Sequence, residues 1–307
     1  VADTLSGVQP AFLGLALMTV VATSVAKALR WKLLLKQASS EAQWLAALRA
    51  VLIGQLGNIL LPVRLGDVAR AAAAAPTTPG GIPTALGTIV VEKMLDGMLG
   101  LLVLVALAFW TPLPPWLRGP FLALAVTTAA VGALLFTATY HREHASALIQ
   151  GLARSFPTRI GSWLTDFLDD LSAGLGVIRG RRPAWTAVAW TAVVWALGAL
   201  TNLVTLHALG IVAPLWTIWL VLATGYVANF LPSVPGQVGV FEFAAVLALT
   251  AAGVDRAQAL AFALVLHLLV YAPPVILGSA SMAFEGLRWA SFSRLGSATS
   301  GDASDLG

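Results

Sequence analysis

The residues in this chain with chemistry to offer are few and crowded together. The stretch NILLPVRLGDVARA, from Asn58 to Ala71, sets Arg64, Asp67 and Arg70 close to one another, with Pro62 and Gly66 among them. A second stretch, VVEKMLDG, carries Glu92, Lys93 and Asp96. On a helix Glu92 and Asp96 share a face, while Lys93 points away from it. Glu242 is the sole charge between Pro183 and Val254.

Guanidinium forks match phosphate geometry, so Arg64 and Arg70 are read as phosphate-facing. Asp67, Glu92 and Asp96 are placed to orient those arginines; the ordinary alternative is a set of structural ion pairs. Glu242 is a candidate contact for a cationic headgroup or a proton, because an ionisable residue inside a membrane is functional by default. Asn58, Asn229 and Gly236 complete the expected substrate-binding set, for a reason given by an internal repeat described below.

The surroundings explain why these charges stand out. The chain has 307 residues, 58% hydrophobic and 10% charged, and its mean hydropathy is +0.85. That is far from a soluble domain. Residues 97–117, 119–141, 183–241 and 257–284 contain no Asp, Glu, Lys or Arg, and about 20 apolar residues suffice to span a bilayer. The chain therefore reads as a polytopic helical membrane protein.

Spans are expected near 8–28, 44–61, 83–110, 121–140, 183–209, 215–231 and 260–284, with a shorter apolar segment at 241–252. The cluster Lys27, Arg30, Lys32 and Lys36 is read as cytoplasmic, as are the arginine-bearing stretch 141–182 and the C-terminus with Arg288 and Arg294. Apolar residues recur at helical intervals between Leu148 and Ile178, so an amphipathic helical hairpin split at Pro157 and Gly161 is expected there. Trp31, Trp44, Trp110, Trp116, Trp185 and Trp216 are read as interfacial anchors. His207 and His267 are read as core histidines without a nearby carboxylate. Residues 297–307 form an expected disordered tail.

The segments GQLGNILLPVRLGDVAR and GYVANFLPSVPGQVGVFE resemble copies. Gly54 and Gly225 each precede an asparagine, Asn58 and Asn229, and each asparagine precedes a proline and then a glycine, Gly66 and Gly236. The copies enter from opposite sides under the expected topology, which makes them an inverted repeat. Repeat 1 covers about 11–140, the amphipathic segment about 141–182, and repeat 2 about 183–285. Transporters often place paired interrupted helices around a midplane cavity, so re-entrant Pro/Gly hairpins are expected to meet there.

Cysteine is absent, so no disulfide or cysteine-based metal site is expected. No P-loop, nucleophile elbow or zinc motif is present; no catalytic residue, metal or cofactor is assigned. The basic residues follow membrane boundaries, which argues against nucleic-acid binding. The chain starts without Met, and sequence upstream is expected.

At these residues the chain resembles the lysylphosphatidylglycerol synthase transmembrane-region family of flippase-like integral membrane proteins. RWKLLL at 30–35, NILLPVRLGDVARA at 58–71, VVEKMLDGMLGLL at 90–102 and LPSVPGQVGVFE at 231–242 carry the likeness, in the family's order. The family pattern has arginine where Lys93 stands and glycine at Val63 and Gln237. Lys93 lacks the bidentate fork, so a phosphate clamp is not carried over to it. The resemblance implies a bacterial or archaeal cytoplasmic membrane and translocation of an anionic or aminoacylated phospholipid or lipid-linked substrate. A separate lipid-modifying enzyme and a second copy of the chain are compatible partners. The rival readings are a membrane-embedded transferase acting on a lipid-phosphate or polyprenyl-phosphate, with Asp67 or Glu242 as general base, and a non-transporting scaffold.

Overall fold

A chain segment in hydrocarbon must satisfy its own backbone hydrogen bonds, and apolar runs of this length do so as helices. The computed structural model describes residues 7–38, 43–61, 65–111, 114–140, 158–175, 181–229 and 234–286. In order these form α1 (Pro10–Ala38), α2 (Trp44–Leu60), α3 (Gly66–Ala74), α4 (Gly81–Trp110), α5 (Arg118–Tyr140), α6 (Thr158–Leu175), α7 (Arg181–Ala208), α8 (Trp216–Ala228), α9 (Val240–Ala251) and α10 (Arg256–Phe284). There is no strand among the described residues. Segments Pro10–Lys36, Pro115–Ala133, Arg182–Ala208 and Arg256–Phe284 are long and apolar enough to cross a membrane, and α2 and α8 are shorter apolar helices. This is the all-helical polytopic membrane protein expected from hydropathy; most helix bounds follow the expected spans, but α1 continues to Ala38, well past the expected end at residue 28. Arg64, Arg288, Arg294, the tail and residues 141–157 and 176–180 lie outside the described residues.

Local chemistry sets the helix ends. Asp255 caps α10, its carboxylate accepting from the amides of Ala257 at 2.8 Å and Gln258 at 3.4 Å, a device worth about 1 kcal/mol. α2 stops at Leu60 because Leu61 precedes a proline and is forced into extended backbone, φ −97° and ψ 144°. Beyond this break α3 runs back along α2. A methyl on Gly66 would overlap the Gly54 carbonyl and the Asn58 amide, and one on Gly57 would strike the Gly66 backbone. Glycine at these positions is what lets the two arms touch.

A second break separates α8 from α9. Its described part is a turn at Pro235–Gln237 followed by Gly239, with left-handed backbone at Gly236 (φ 77°), Gln237 (φ 56°) and Gly239 (φ 90°). Glu242 then reaches back, its carboxylate accepting from the Gly239 amide at 2.7 Å. A carboxylate in this first turn also suits the positive end of α9.

Two large apolar cores hold these parts, with a small cluster around Ile53 and Ala69 joining α2 to α3. One gathers Trp31, Leu34, Val51, Ile89 and Val91 from α1, α2 and the first half of α4. The other gathers Leu104 and Leu107 from the second half of α4 with Leu220, Leu249 and Phe262 from α8, α9 and α10. α4 therefore belongs to both. Beside them, α1 and α7 share a hydroxyl contact, Thr19 Oγ1 to Thr201 Oγ1 at 2.8 Å.

Some expectations need correction. Trp31 is no interfacial anchor: it is fully buried and donates from Nε1 to Thr88 Oγ1 at 2.9 Å. Arg30 does not belong to a solvated basic cluster, being fully buried as well; helical rotation separates it from Lys32 and Lys36, which lie on other faces. Trp44, Trp116 and Trp185 do remain exposed. The described part of the amphipathic segment is one helix starting after Pro157 and running through Gly161. It packs on α4, where Thr84 Oγ1 donates to the Asp170 carbonyl at 2.9 Å.

The close approach of α2 and α3 predicts that Gly66→Val destabilises the purified protein by about 1–3 kcal/mol through overpacking. Gly14→Ala, at a position with nothing within 4 Å, is expected to melt like the parent. Thermal unfolding in detergent compares them, and equal melting of Gly66→Val and the parent would refute the packing account.

Candidate functional site

The site grows from one requirement: a charge buried among apolar helices must have a partner. Arg30 of α1 points at α4. Its guanidinium grips both carboxylate oxygens of Asp96, with Nη2 3.0 Å from Oδ2, and Nη2 also lies 3.0 Å from Glu92 Oε1. Nη1 donates in addition to Thr191 Oγ1 of α7 at 3.0 Å. Three helices are thereby tied to one side chain.

Arg70 of α3 approaches Glu92 from the other side. Nη1 donates to Oε1 at 3.0 Å and Nη2 to Oε2 at 2.7 Å, a bidentate fork. The Arg70 guanidinium carbon sits 4.0 Å from the centre of the Trp31 ring, so the cation is covered by an aromatic face as well. Glu92, 3% exposed, thus stands between two arginines. At the more open edge Lys93 Nζ lies 3.3 Å from Asp67 Oδ2, and Asn58 Nδ2 donates to Asp67 Oδ1 at 3.2 Å.

This network forms one wall of a cavity of about 330 Å³. Residues beside both helix breaks line it: Asn58, Asp67 and Arg70 from the first, Asn229, Gln237 and Phe241 from the second. Glu92, Lys93 and Asp96 come from α4, and Thr23, Ser24 and Lys27 from α1. Other lining residues are polar without charge. Tyr271 donates to Gln237 Oε1 at 2.8 Å, Tyr226 donates to the Lys93 carbonyl at 3.3 Å, and Asn229 donates to the Gly225 carbonyl at 3.0 Å.

Of the residues singled out from sequence, the fold brings Asn58, Asp67, Arg70, Glu92, Asp96 and Asn229 together around this space. Gly236 and Glu242 are not in its lining. Gly236 shapes the turn that delivers Gln237, and Glu242 lies behind it against α10. There Glu242 Oε1 is 2.7 Å from His267 Nδ1, which overturns the reading of His267 as a core histidine without a carboxylate. Their separation in sequence hid the pair; the helical return of α10 along α9 creates it. His267 in turn stacks on Tyr271, ring centres 4.1 Å apart. Sequence reasoning also passed over Lys27 and Arg30, whose one-turn spacing on α1 was the available signal.

The arrangement predicts a ranking of losses. Glu92→Gln leaves Arg70 without its carboxylate and weakens Arg30, which in a buried pair costs about 3–5 kcal/mol. Asp96→Asn leaves Arg30 still held by Glu92 and is expected to cost less, and Asp67→Asn, at a partly exposed pair, least. Thermal melting of the three variants checks this order, and a Glu92→Gln protein as stable as Asp67→Asn would contradict it.

Comparison with known proteins agrees with the helical membrane architecture. The chain is 26% identical to the Glycosyltransferase AglD of Haloferax volcanii over 317 aligned residues, 92% of this chain and 50% of that protein. It therefore spans about half the length of that relative. No solved structure matches the chain. Residues 1–278 match the family described as the lysylphosphatidylglycerol synthase TM region, covering the whole charged network and both helix breaks. The chain belongs to the lysylphosphatidylglycerol synthase TM region family.

Proposed function

We propose that the chain is a lipid flippase, passing the headgroup of an anionic phospholipid or lipid-linked substrate through the central cavity while the tails stay in the bilayer. Family membership and the glycosyltransferase-named relative support a membrane lipid-related function. The observation that carries the finer reading is the cavity itself: charged and neutral polar residues in the middle of an apolar bundle, framed by residues next to both helix breaks. Such a lining suits a group that cannot enter hydrocarbon, which is the obstacle a flippase removes. In this reading Arg70, Glu92, Asp96 and Arg30 hold the wall in shape, and Asn58, Asp67 and Asn229 present polar atoms to the headgroup.

The same reading includes the inverted repeat, with the two broken segments as re-entrant hairpins entering from opposite faces of a cytoplasmic membrane and the C-terminus on the cytoplasmic side. A single cysteine at Thr77 and another at Arg256, both exposed positions in a cysteine-free chain, are expected to react with an impermeant maleimide from opposite sides. Labelling from one side for both would end the inverted-repeat reading.

Transport is tested in liposomes of phosphatidylcholine with fluorescent phosphatidylglycerol. Reduction by external dithionite is expected to reach label in the inner leaflet when the protein is present and not in protein-free vesicles. Identical kinetics in the two would overturn the flippase reading, and a lipid product of altered mass would favour the transferase instead.

A further inference from the structure

Among the described residues the charges of the network balance among themselves. Arg30, Arg70 and Lys93 face Asp96, Glu92 and Asp67, three cations and three carboxylates, each in an ion pair within 4 Å. Lys27 is outside this balance. It lines the cavity, and no hydrogen bond or ion pair holds its ammonium among the described residues. Asp96 and Glu92 are its electrostatic neighbours, together with the like charges of Arg30 and Lys93. Both oxygens of Asp96 are taken by Arg30, and both oxygens of Glu92 by the two arginines. The carboxylates nearest Lys27 are thus already engaged by arginine.

An amine in an apolar bundle keeps its proton at least cost when an anion meets it, and no described ion pair supplies one to Lys27. On the same face of α1, Thr23 and Ser24 stand one turn before Lys27 and also line the cavity, so hydroxyls are at hand beside the ammonium. Lys27 offers a compact charge with three donors, which binds phosphate as a point charge without needing the fork geometry.

We infer that Lys27 anchors a singly charged phosphodiester, and that the substrate is an acidic lipid whose headgroup carries no ammonium. This rests on the reading of the cavity as a lipid headgroup site and narrows it. A phosphodiester contributes a single negative charge and neutralises the site. A lysylated headgroup, with two ammonium groups and one phosphate, would bring net positive charge to a described network in which Arg30, Arg70, Lys93 and Lys27 already outnumber Asp67, Glu92 and Asp96. The lining carboxylates that would receive an ammonium are engaged by arginine or lysine, and Glu242 lies outside the lining against His267.

The test is binding to the purified full chain in neutral detergent, by calorimetry, of dihexanoyl-phosphatidylglycerol, dihexanoyl-lysylphosphatidylglycerol, dihexanoylglycerol and dimethyl phosphate. The expected result is that phosphatidylglycerol binds about tenfold tighter than the lysylated and uncharged lipids. Lys27→Gln removes that preference and Lys27→Arg keeps it. Lys27→Gln leaves every ion pair of the network in place, and melting that matches the parent confirms that the fold is intact. Equal affinity for the lysylated lipid, or an unchanged preference in Lys27→Gln, would overturn the assignment. Dimethyl phosphate binding as tightly as the lipid would assign the site to a soluble phosphodiester and overturn the lipid source. Leaflet exchange is read separately. Binding through Lys27 without exchange sinks only the transport reading, and exchange indifferent to Lys27 sinks only this one.

Discussion

Glu92 lies between two guanidinium groups, and much of the first half of the molecule is arranged so that none of the three is left alone. Arg30 comes from α1, Arg70 from α3 and Glu92 from α4, with Asp96 and Thr191 taking further hydrogen bonds from the Arg30 guanidinium. A buried pair of this kind adds little net stability over a well-packed apolar substitute, yet breaking it on one side is severe. Its structural effect is to fix where helices meet. α3 cannot rotate on α2 without pulling Arg70 from Glu92, and α1 cannot slide along α4 without exposing Arg30.

The apolar cores transmit that constraint. α4 carries the carboxylates in its first half and contributes Leu104 and Leu107 to the other core in its second. The helix that fixes the charges in one part of the bundle therefore also sets the packing of α8, α9 and α10. This is how a cavity comes to be lined by residues from both helix breaks although the breaks are far apart in sequence. The uncharged polar residues Tyr226, Asn229, Gln237 and Tyr271 join the charged ones in the lining of a single cavity.

Much of this was legible in the residues. Charge-free runs marked the helices, and Pro62 and Gly66 marked the first break because a residue before proline leaves the helical region. The shared face of Glu92 and Asp96 pointed to arginine partners. What was hidden shares a physical cause. Arg30, Trp31 and His267 owe their surroundings to how one helix is turned against another, and a basic or aromatic residue near a span end looks the same in sequence whether it faces headgroups or a carboxylate. In sequence Lys27 and Arg30 read as part of a cytoplasmic boundary, because lysine and arginine collect on that side of a membrane. The partner on α4 that keeps Arg30 inside is not visible from α1.

The two breaks look alike in sequence and answer to different demands. Gly66 has no room for a side chain, since the backbone of α2 occupies the place. Gly239 has open space around it and adopts instead a backbone conformation that disfavours any L-residue. Glycine is required at one turn by volume and at the other by handedness. A chain made with a D-alanine at Gly239 would keep that turn, whereas at Gly66 the obstacle is a neighbour that mirror-image chemistry does not move.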